Sequence, residues 1–305
     1  PATSMVMDRA LSDLHRHLDG SLRLATLLEL AWVQEVDVPE DIRFTPGMGL
    51  EAALARFAVT LSVLQDPTTV TRVASEICED AAREGVTTLE IRFAPQLHRG
   101  AAIDVVVDAA LEGIAGRAGL ILCALYGEPP DLVERLVEVA SPRPGVVGLD
   151  LAGGPEPSQP FTLRDYAAPF TRARDLGLGR TVHAGEGRPP EEIRVAIEAL
   201  HAQRIGHGTT LLDDPEVLEL VLERGVTIEA CPTSNVHTGV IARVEDHPLP
   251  RWLDHGVKAC INTDNTLLSE VDAPTELSRV AAIPGMSEAH LTAVVEQGHA
   301  ARFQR

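Results

Sequence analysis

The stretch GRTVHAGEGRPPEEIRVAIEALHAQRIGH, residues 179–207, contains one complete repeat of the predicted fold. It opens with a short run of strand-forming residues that ends at His183 and then passes through a turn rich in glycine and proline. A segment with helical spacing follows from Pro190 to Leu200, and proline suits the first turn of a helix. A second short strand, Arg204–His207, completes the repeat. Strands that alternate with helices in this way predict a parallel sheet.

The same alternation extends through the rest of the chain. The predicted strands are Asp13–His17, Val86–Phe93, Leu120–Tyr126, Val146–Ala152, Gly179–His183, Arg204–His207, Val226–Cys231 and Val257–Thr263. The predicted helices between them include Pro67–Arg83, Ile103–Gly116, Pro130–Val139, Leu163–Leu176, Pro190–Leu200 and Pro215–Glu223. Eight such repeats in 305 residues favour an α/β fold of the closed (β/α)8 barrel type. No Gly-x-Gly-x-x-Gly fingerprint follows a strand, which argues against a dinucleotide-binding fold.

The organisation around the barrel is simple. We expect a single domain over residues 1–305, because no linker or low-complexity segment interrupts the alternation. The opening Pro1–Met7 is expected to lie outside the fold. A long helical stretch, Leu24–Leu64, follows the first strand, and in a barrel it would cover the C-terminal mouth as a lid.

Composition narrows the class of partner. The formal net charge is −19, which disfavours a nucleic-acid groove and an anionic membrane surface, so a small molecule is the expected partner. No apolar run is long enough to cross a membrane. The four cysteines are widely spaced without a CxxC pair, as is typical of a cytoplasmic protein. Nothing in the sequence indicates the oligomeric state.

Polar side chains gather where the predicted strands end, which is where the working residues of a barrel lie. His15 and His17 are two residues apart on the first strand and therefore share a face. His183 and His207 end two further strands, and Asp264 follows the eighth. Imidazole and carboxylate are ligands that Zn²⁺ favours, and a zinc site with an open position can activate a water. Glu186, on the loop after His183, is placed to carry a proton.

Each of these residues also has an ordinary interpretation. A single histidine is more often a hydrogen-bonded structural residue, Asp264 could cap a helix, and Glu186 could be a solvated loop charge. Their joint occurrence at strand ends favours function. The remaining histidines lie on predicted helices or flanks, and we expect structural or surface positions for them: His98, His201, His237, His247, His255, His290 and His299.

Six motifs follow one another along the chain: Leu14-His15-Arg16-His17-Leu18-Asp19-Gly20, Leu149-Asp150-Leu151-Ala152-Gly153, Val182-His183-Ala184-Gly185-Glu186, Arg204-Ile205-Gly206-His207-Gly208, Cys231-Pro232-Thr233-Ser234-Asn235 and Asn262-Thr263-Asp264. In residues and order they resemble the motifs of the adenosine deaminase family, close to its bacterial form. The resemblance covers nearly the whole chain.

The resemblance implies a role for each matched residue. It implies one Zn²⁺ per chain on His15, His17, His183 and Asp264. Glu186 would protonate N1 of an aminopurine while hydroxide attacks C6, and His207 would orient or deprotonate the attacking water. The substrate contacts would be Gly153 to N3, with Asp19 and His17 near the 5′-hydroxyl of the sugar. The implied reaction converts adenosine or 2′-deoxyadenosine into the inosine product and ammonia.

Three departures affect the substrate rather than the chemistry. Asn265 follows Asp264 where many family members carry a second aspartate facing purine N7, and an amide can donate to N7. Gly154 stands where an acidic residue often follows, and the segment between the second and third strands is short. Adenine, a 5′-modified adenosine or aminodeoxyfutalosine therefore remain alternative substrates, whereas a carboxylate at Asp19 disfavours AMP.

Three other classes of protein fit less well. A cyclic amidohydrolase with two metals would use a bridging lysine, but Lys258, the only lysine, lies at the start of the eighth strand. A cytidine-type deaminase would show His-x-Glu with Pro-Cys-x-x-Cys, and neither is present. A catalytically silent binding protein would more often have lost one of the six polar residues.

Overall fold

Eight parallel strands form the centre of the protein. The computed structural model describes residues 9–305, so the expectation for Pro1–Met7 lies outside the described residues. The strands are β1 (Leu11–His17), β2 (Val86–Phe93), β3 (Gly119–Leu125), β4 (Val146–Ala152), β5 (Gly179–Ala184), β6 (Arg204–His207), β7 (Thr227–Ala230) and β8 (Lys258–Ile261).

Helices connect the strands on the outside. They are α1 (Leu24–Gln34), α2 (Leu50–Ser62), α3 (Pro67–Arg83), α4 (Ile103–Ile114), α5 (Pro130–Ala140), α6 (Ala167–Asp175), α7 (Glu191–Glu198), α8 (Pro215–Arg224), α9 (Pro232–His237), α10 (Leu249–Asp254), α11 (Ala273–Ala281) and α12 (Glu288–Ala300).

The strands pair in chain order from β1 to β8, all in parallel. Two backbone hydrogen bonds bring the ends of the sheet together: His17 N–H donates to the Asp264 carbonyl at 2.8 Å, and Asp264 N–H donates to the His15 carbonyl at 2.8 Å. The segment after β8 therefore closes the barrel against the C-terminal end of β1. The predicted (β/α)8 barrel is confirmed.

The prediction of one long helical stretch over Leu24–Leu64 is wrong in detail. It consists of α1 and α2 separated by a non-helical loop. Helix α1 ends at Glu35, whose φ of 56° is left-handed, and the loop carries Pro39, Pro46 and two glycines, which disfavour helix. Helix α2 lies against the barrel mouth, as described below.

Apolar side chains fill the space between the strands and the surrounding helices and form one large core. The barrel interior is different, because its middle layer is charged and almost wholly buried. This interior polar layer consists of Glu90, Arg92, Asp150, Arg204 and Glu229, each no more than 2% exposed. Charged residues are seldom so fully buried unless they are paired. No helix within residues 9–305 is long and apolar enough to cross a membrane.

Candidate active site

The predicted metal ligands lie together at the C-terminal mouth of the barrel. The Nε2 atoms of His15 and His17 are 3.3 Å apart, and they lie 3.2 and 3.3 Å from Oδ1 of Asp264. His183 joins the two histidines in a group whose nitrogen atoms all lie within 4.8 Å of one another. The site thus receives its ligand atoms from β1, β5 and the loop after β8.

The spacing fits a metal ion. For bonds of about 2.0–2.1 Å, the donor atoms of a tetrahedral site lie about 3.3 Å apart. The three measured distances among His15, His17 and Asp264 have this value. Burial opposes protonation of His15, but Asp264 and Glu229 outweigh it and raise its pKa to about 9. The pocket therefore favours a positive charge at the point where these atoms converge.

Two buried carboxylates set the direction of two ligand rings. Nδ1 of His15 lies 2.9 Å from Oε1 of Glu229, and Nδ1 of His183 lies 3.1 Å from Oδ1 of Asp150. A hydrogen bond at Nδ1 keeps the proton on that nitrogen and leaves Nε2 free to bind a metal. Asp150 and Glu229 therefore present both imidazoles in the tautomer that a metal needs.

Glu186 and His207 lie beside this cluster. Nε2 of His207 is 3.7 Å from Oε2 of Glu186 and 3.9 Å from Oδ2 of Asp264. Burial raises the pKa of Glu186, which favours its acid form, and burial lowers the pKa of His207 well below its usual value. Nδ2 of Asn235 lies 3.0 Å from Nδ1 of His207 and fixes the ring plane. One buried acid and one neutral imidazole thus face the same point.

The backbone around the site adopts left-handed conformations that side chains rarely take. His207 has a φ of 70° and Asp264 a φ of 64°. Such strain is kept only where the surroundings hold it, and it is concentrated at functional sites. Ser234 contributes here by donating its hydroxyl proton to Oδ2 of Asp264 at 2.6 Å. This bond leaves Oδ1 of Asp264 directed at the two histidines of β1.

Two connected cavities lead to the cluster. The inner chamber has about 420 Å³ of empty space, with a polar base of His17, His183, Glu186, His207, Ser234, Asp264 and Asn265. Its other side is apolar and comes from Phe44, Leu50, Ala53, Leu54 and Phe57. The outer cleft, about 990 Å³, continues from it and shares His17, Leu54, Phe57 and Gly153. An apolar cavity with a few convergent polar groups is typical of a small-molecule site.

The residues expected to contact substrate line these cavities. Gly153 lies on both, with a φ of 75° and free space where a Cβ would project. Asp19 lines the outer cleft, and burial raises its pKa to about 7. Asn265 lines the inner chamber, and its Oδ1 packs against Gly20 without a hydrogen-bond partner among residues 9–305. Its amide nitrogen is then the end available to the chamber.

Several functional positions escaped the sequence analysis. Asp150 contacts His183, Glu229 contacts His15, and Asn235 contacts His207. Arg92 bonds both Asp150 and Glu229, and none of these four residues was predicted as a site residue. For Arg92, Asp150 and Glu229, the available signal was a charged residue within a buried strand. Among the histidines expected at structural or surface positions, His237 lies with Nδ1 3.1 Å from the hydroxyl of Ser269 and does not line the inner chamber.

This fold and this site define the class of protein: a (β/α)8-barrel hydrolase with a His/Asp cluster that could hold a metal ion. The family model "Adenosine deaminase" matches residues 11–304. An adenosine deaminase from Clostridium kluyveri is 37% identical over 287 residues, which cover 88% of this chain and 82% of that protein. Among solved structures, adenine deaminase from Arthrobacter aurescens gives a TM-score of 0.85 at 25% identity, covering 97% of this chain and 94% of the other.

A third similarity widens the range of substrates among related proteins. The apo structure of the N6-methyl-AMP deaminase from Arabidopsis thaliana gives a TM-score of 0.85 at 25% identity over 99% of this chain and 94% of the other. The chain belongs to the adenosine deaminase family. It is a hydrolase of the type that deaminates aminopurines.

Proposed function

We propose that this protein hydrolytically deaminates adenosine and 2′-deoxyadenosine in the cytoplasm, as a single-domain enzyme with one Zn²⁺ per chain. The observation that carries the proposal is the single chamber in which a buried acid, Glu186, faces a ligand cluster of three histidines and Asp264. The names of the matched relatives support adenosine as the substrate. The four free, buried cysteines are consistent with a reducing compartment.

His15, His17, His183 and Asp264 would hold the zinc ion, since their donor atoms have the spacing and chemistry that it prefers. When bound, zinc lowers the pKa of water enough to provide a nucleophile near neutral pH. Asp264, with Oδ2 held by Ser234, would also fix the direction from which that nucleophile approaches.

Glu186 and His207 would perform the proton transfers. Burial raises the pKa of Glu186, which favours its acid form, and donation of that proton to purine N1 would make C6 electrophilic. His207 is neutral because burial lowers its pKa, so its Nε2 would orient the attacking water. Nε2 would accept a proton from that water in the tautomer with the ring proton on Nδ1, which needs the oxygen of the Asn235 amide, and not its nitrogen, to face Nδ1. The amino group would take up the proton that the water lost and leave C6 as ammonia, while the hydroxyl now on C6 would return its proton to Glu186.

The cavity lining would select the substrate. The backbone N–H of Gly153 would donate to purine N3, because no side chain blocks its approach. Asn265 would donate its amide to N7, and Asp19 and His17 would contact the 5′-hydroxyl from the outer cleft. A phosphate would meet the Asp19 carboxyl there, so AMP would bind poorly. Helix α2 would act as the lid, because its Leu50, Ala53, Leu54 and Phe57 face the chamber.

Ammonia release from a panel of aminopurines by metal-analysed protein tests this proposal. The panel contains adenosine, 2′-deoxyadenosine, adenine, AMP, methylthioadenosine and aminodeoxyfutalosine. Strong turnover of the first two with about one zinc per chain supports the proposal. Turnover of another member alone would keep the chemistry and reassign the substrate. Absence of both metal and turnover would leave a silent binding protein.

A further inference from the structure

Arg92 lies below the ligand cluster, at the centre of the interior polar layer. Its Nη1 donates to Oδ2 of Asp150 at 3.0 Å, and its Nη2 donates to Oε1 of Glu229 at 3.0 Å. Nη2 also donates to the carbonyl of Leu14 at 2.6 Å, directly before His15. The side chains of Arg92, Asp150 and Glu229 are wholly buried, so bulk solvent does not compete for these bonds.

The two carboxylates that Arg92 joins are the same two that orient ligand rings. Glu229 holds Nδ1 of His15, and Asp150 holds Nδ1 of His183. A continuous path of hydrogen bonds therefore runs from His15 on β1 through one guanidinium to His183 on β5. The planar fork of an arginine fixes both the distance and the angle between two carboxylates, which the point charge of a lysine does not.

We propose that Arg92 is a positioning residue that couples His15 to His183 and so sets their separation for the metal. The inference rests on the proposed function, because it takes these two histidines as metal ligands. Arg92 contacts neither ligand ring directly; it acts through Asp150 and Glu229.

The two carboxylates through which Arg92 acts, Glu229 and Asp150, differ in how many other side chains hold them. Oε2 of Glu229 accepts additional bonds from Arg204 at 2.7 Å and Thr181 at 3.0 Å. Besides His183, Asp150 has only Arg92 and the weakly donating thiol of Cys123, 3.5 Å away, as side-chain partners within residues 9–305. Loss of the arginine fork therefore releases Asp150 and His183 first, while Glu229 keeps His15 in place.

Arg204 is a matched control for Arg92. It is equally buried in the same layer and bonds two carboxylates, Glu229 and Glu90, at 2.7 and 2.6 Å. It does not contact Asp150, and it uses the oxygen of Glu229 that His15 does not use. Arg204→Lys should therefore disturb packing and charge as much as Arg92→Lys does, without uncoupling the ligand rings.

The test compares Arg92→Lys, Arg204→Lys, Asp150→Asn and the double variant Arg92→Lys with Asp150→Asn. Zinc dissociation constants come from competition with a chromophoric chelator, and the visible bands of the Co²⁺-substituted proteins report ligand geometry. Thermal unfolding confirms that each variant is folded. We expect Arg92→Lys to weaken zinc binding about 10–100-fold and to alter the Co²⁺ bands, as loss of a partner of a ligand does.

Two further expectations separate coupling from a general structural effect. Arg204→Lys should change zinc affinity less than Arg92→Lys does, at a similar loss of melting temperature. When Asp150→Asn is already present, Arg92→Lys should weaken zinc binding little further, because the Asp150 side chain through which Arg92 acts on His183 is already altered. Additive losses, or equal losses for the two lysine variants, would overturn the inference. If Arg92→Lys does not fold, the Asp150→Asn variant decides: unchanged affinity and unchanged Co²⁺ bands would overturn it.

A failure of the proposed function gives a different result. A wild-type protein that takes up no zinc and releases no ammonia would contradict the ligand assignment itself. A wild-type protein that binds zinc tightly, with an Arg92→Lys variant that binds it equally tightly, would contradict only the role of Arg92.

Discussion

The two sides of the inner chamber are built in opposite ways. Below the ligand cluster, the interior polar layer holds charged side chains from β2, β4, β6 and β7, with bonds such as Arg204 to Glu229 at 2.7 Å. Above it, α2 presents Leu50, Leu54 and Phe57, and this helix directs apolar groups at the chamber. The difference indicates that directional bonds position the ligands, whereas non-directional contacts cover the substrate.

Helix α2 is attached to the rest of the protein mainly near its two ends. Its preceding loop is tied to α9 by backbone bonds, Gly47 N–H to the Val236 carbonyl at 2.9 Å and Gly49 N–H to the His237 carbonyl at 3.2 Å. Beyond the other end of α2, Nδ1 of His98 contacts the Leu64 carbonyl at 2.6 Å. Between these ties, Leu54 is 41% exposed. A segment held at its ends and packed loosely between them is suited to opening.

The largest expected effect is at Glu186, which lies between the two sides. Glu186→Gln should lower kcat about 10²–10⁴-fold, because the amide cannot donate a proton to N1. Zinc content, measured by elemental analysis, should stay near that of wild type. Glu198→Gln, an exposed change on α7, is the control and should leave both unchanged. Loss of metal from Glu186→Gln would place Glu186 among the ligands instead.

A change in the interior polar layer should lower both the zinc affinity and the free energy of unfolding. Glu229→Gln leaves Arg92 and Arg204 partly uncompensated, so we expect a loss of about 3–5 kcal/mol in the free energy of unfolding. Zinc affinity should fall about 10–100-fold, because His15 loses its carboxylate. Denaturant unfolding and chelator competition measure the two effects.

Glu90→Gln provides the comparison for that variant. Glu90 shares the burial and the Arg204 contact of Glu229 but does not contact a ligand histidine. The Glu90→Gln protein should therefore be less stable than wild type while keeping its zinc affinity. Equal zinc loss in both variants would mean that the layer acts only through general stability.

In the outer cleft, Asp19→Ala should raise KM for adenosine about tenfold while changing adenine turnover little. A hydrogen bond to a sugar hydroxyl contributes about 1 kcal/mol or somewhat more, and adenine has no sugar to lose it. Steady-state kinetics on both substrates measure the difference. Asp19→Asn, which keeps an acceptor, should retain most of the preference. Equal losses on the two substrates would exclude a sugar contact.

The smallest effect is expected on helix α2, which lies over the inner chamber. Phe57→Leu keeps an apolar side chain but removes the ring that lies 6.3 Å from His17 and 6.1 Å from Phe44. We expect KM for adenosine to rise about 2–10-fold with kcat nearly unchanged, since aromatic contacts contribute about 0.5–1.5 kcal/mol. A fall in kcat with KM unchanged would show that this ring takes part in the chemistry.

The sequence predicted the barrel well because each repeat carries its own local signals. The bounds of Val86–Phe93, Val146–Ala152, Arg204–His207 and Pro67–Arg83 agree with the observed elements. The helical stretch after β1 was placed correctly but not divided. Glu35, whose left-handed backbone follows the last residue of α1, has no distinctive residue signal, so the signal for the break lies in Pro39, Pro46 and the two glycines of the loop.

For the site, residues at strand ends could be predicted as converging because barrel geometry brings those ends together. The coupling through Arg92 could not, since it depends on the register between β2, β4 and β7. A buried charge in a strand shows that a partner exists, but it does not identify that partner. The conformations of Asp264 and His207 were also beyond a reading of residue types.

Metal removal and restoration test whether a metal activates hydrolysis of the amino group of adenosine when it is held by His15, His17, His183 and Asp264. The protein is dialysed against a chelator, and ammonia release from adenosine is followed while Zn²⁺ is added back. We expect loss of activity in the metal-free protein and full recovery at about one zinc per chain. Unchanged turnover by the metal-free protein would contradict it.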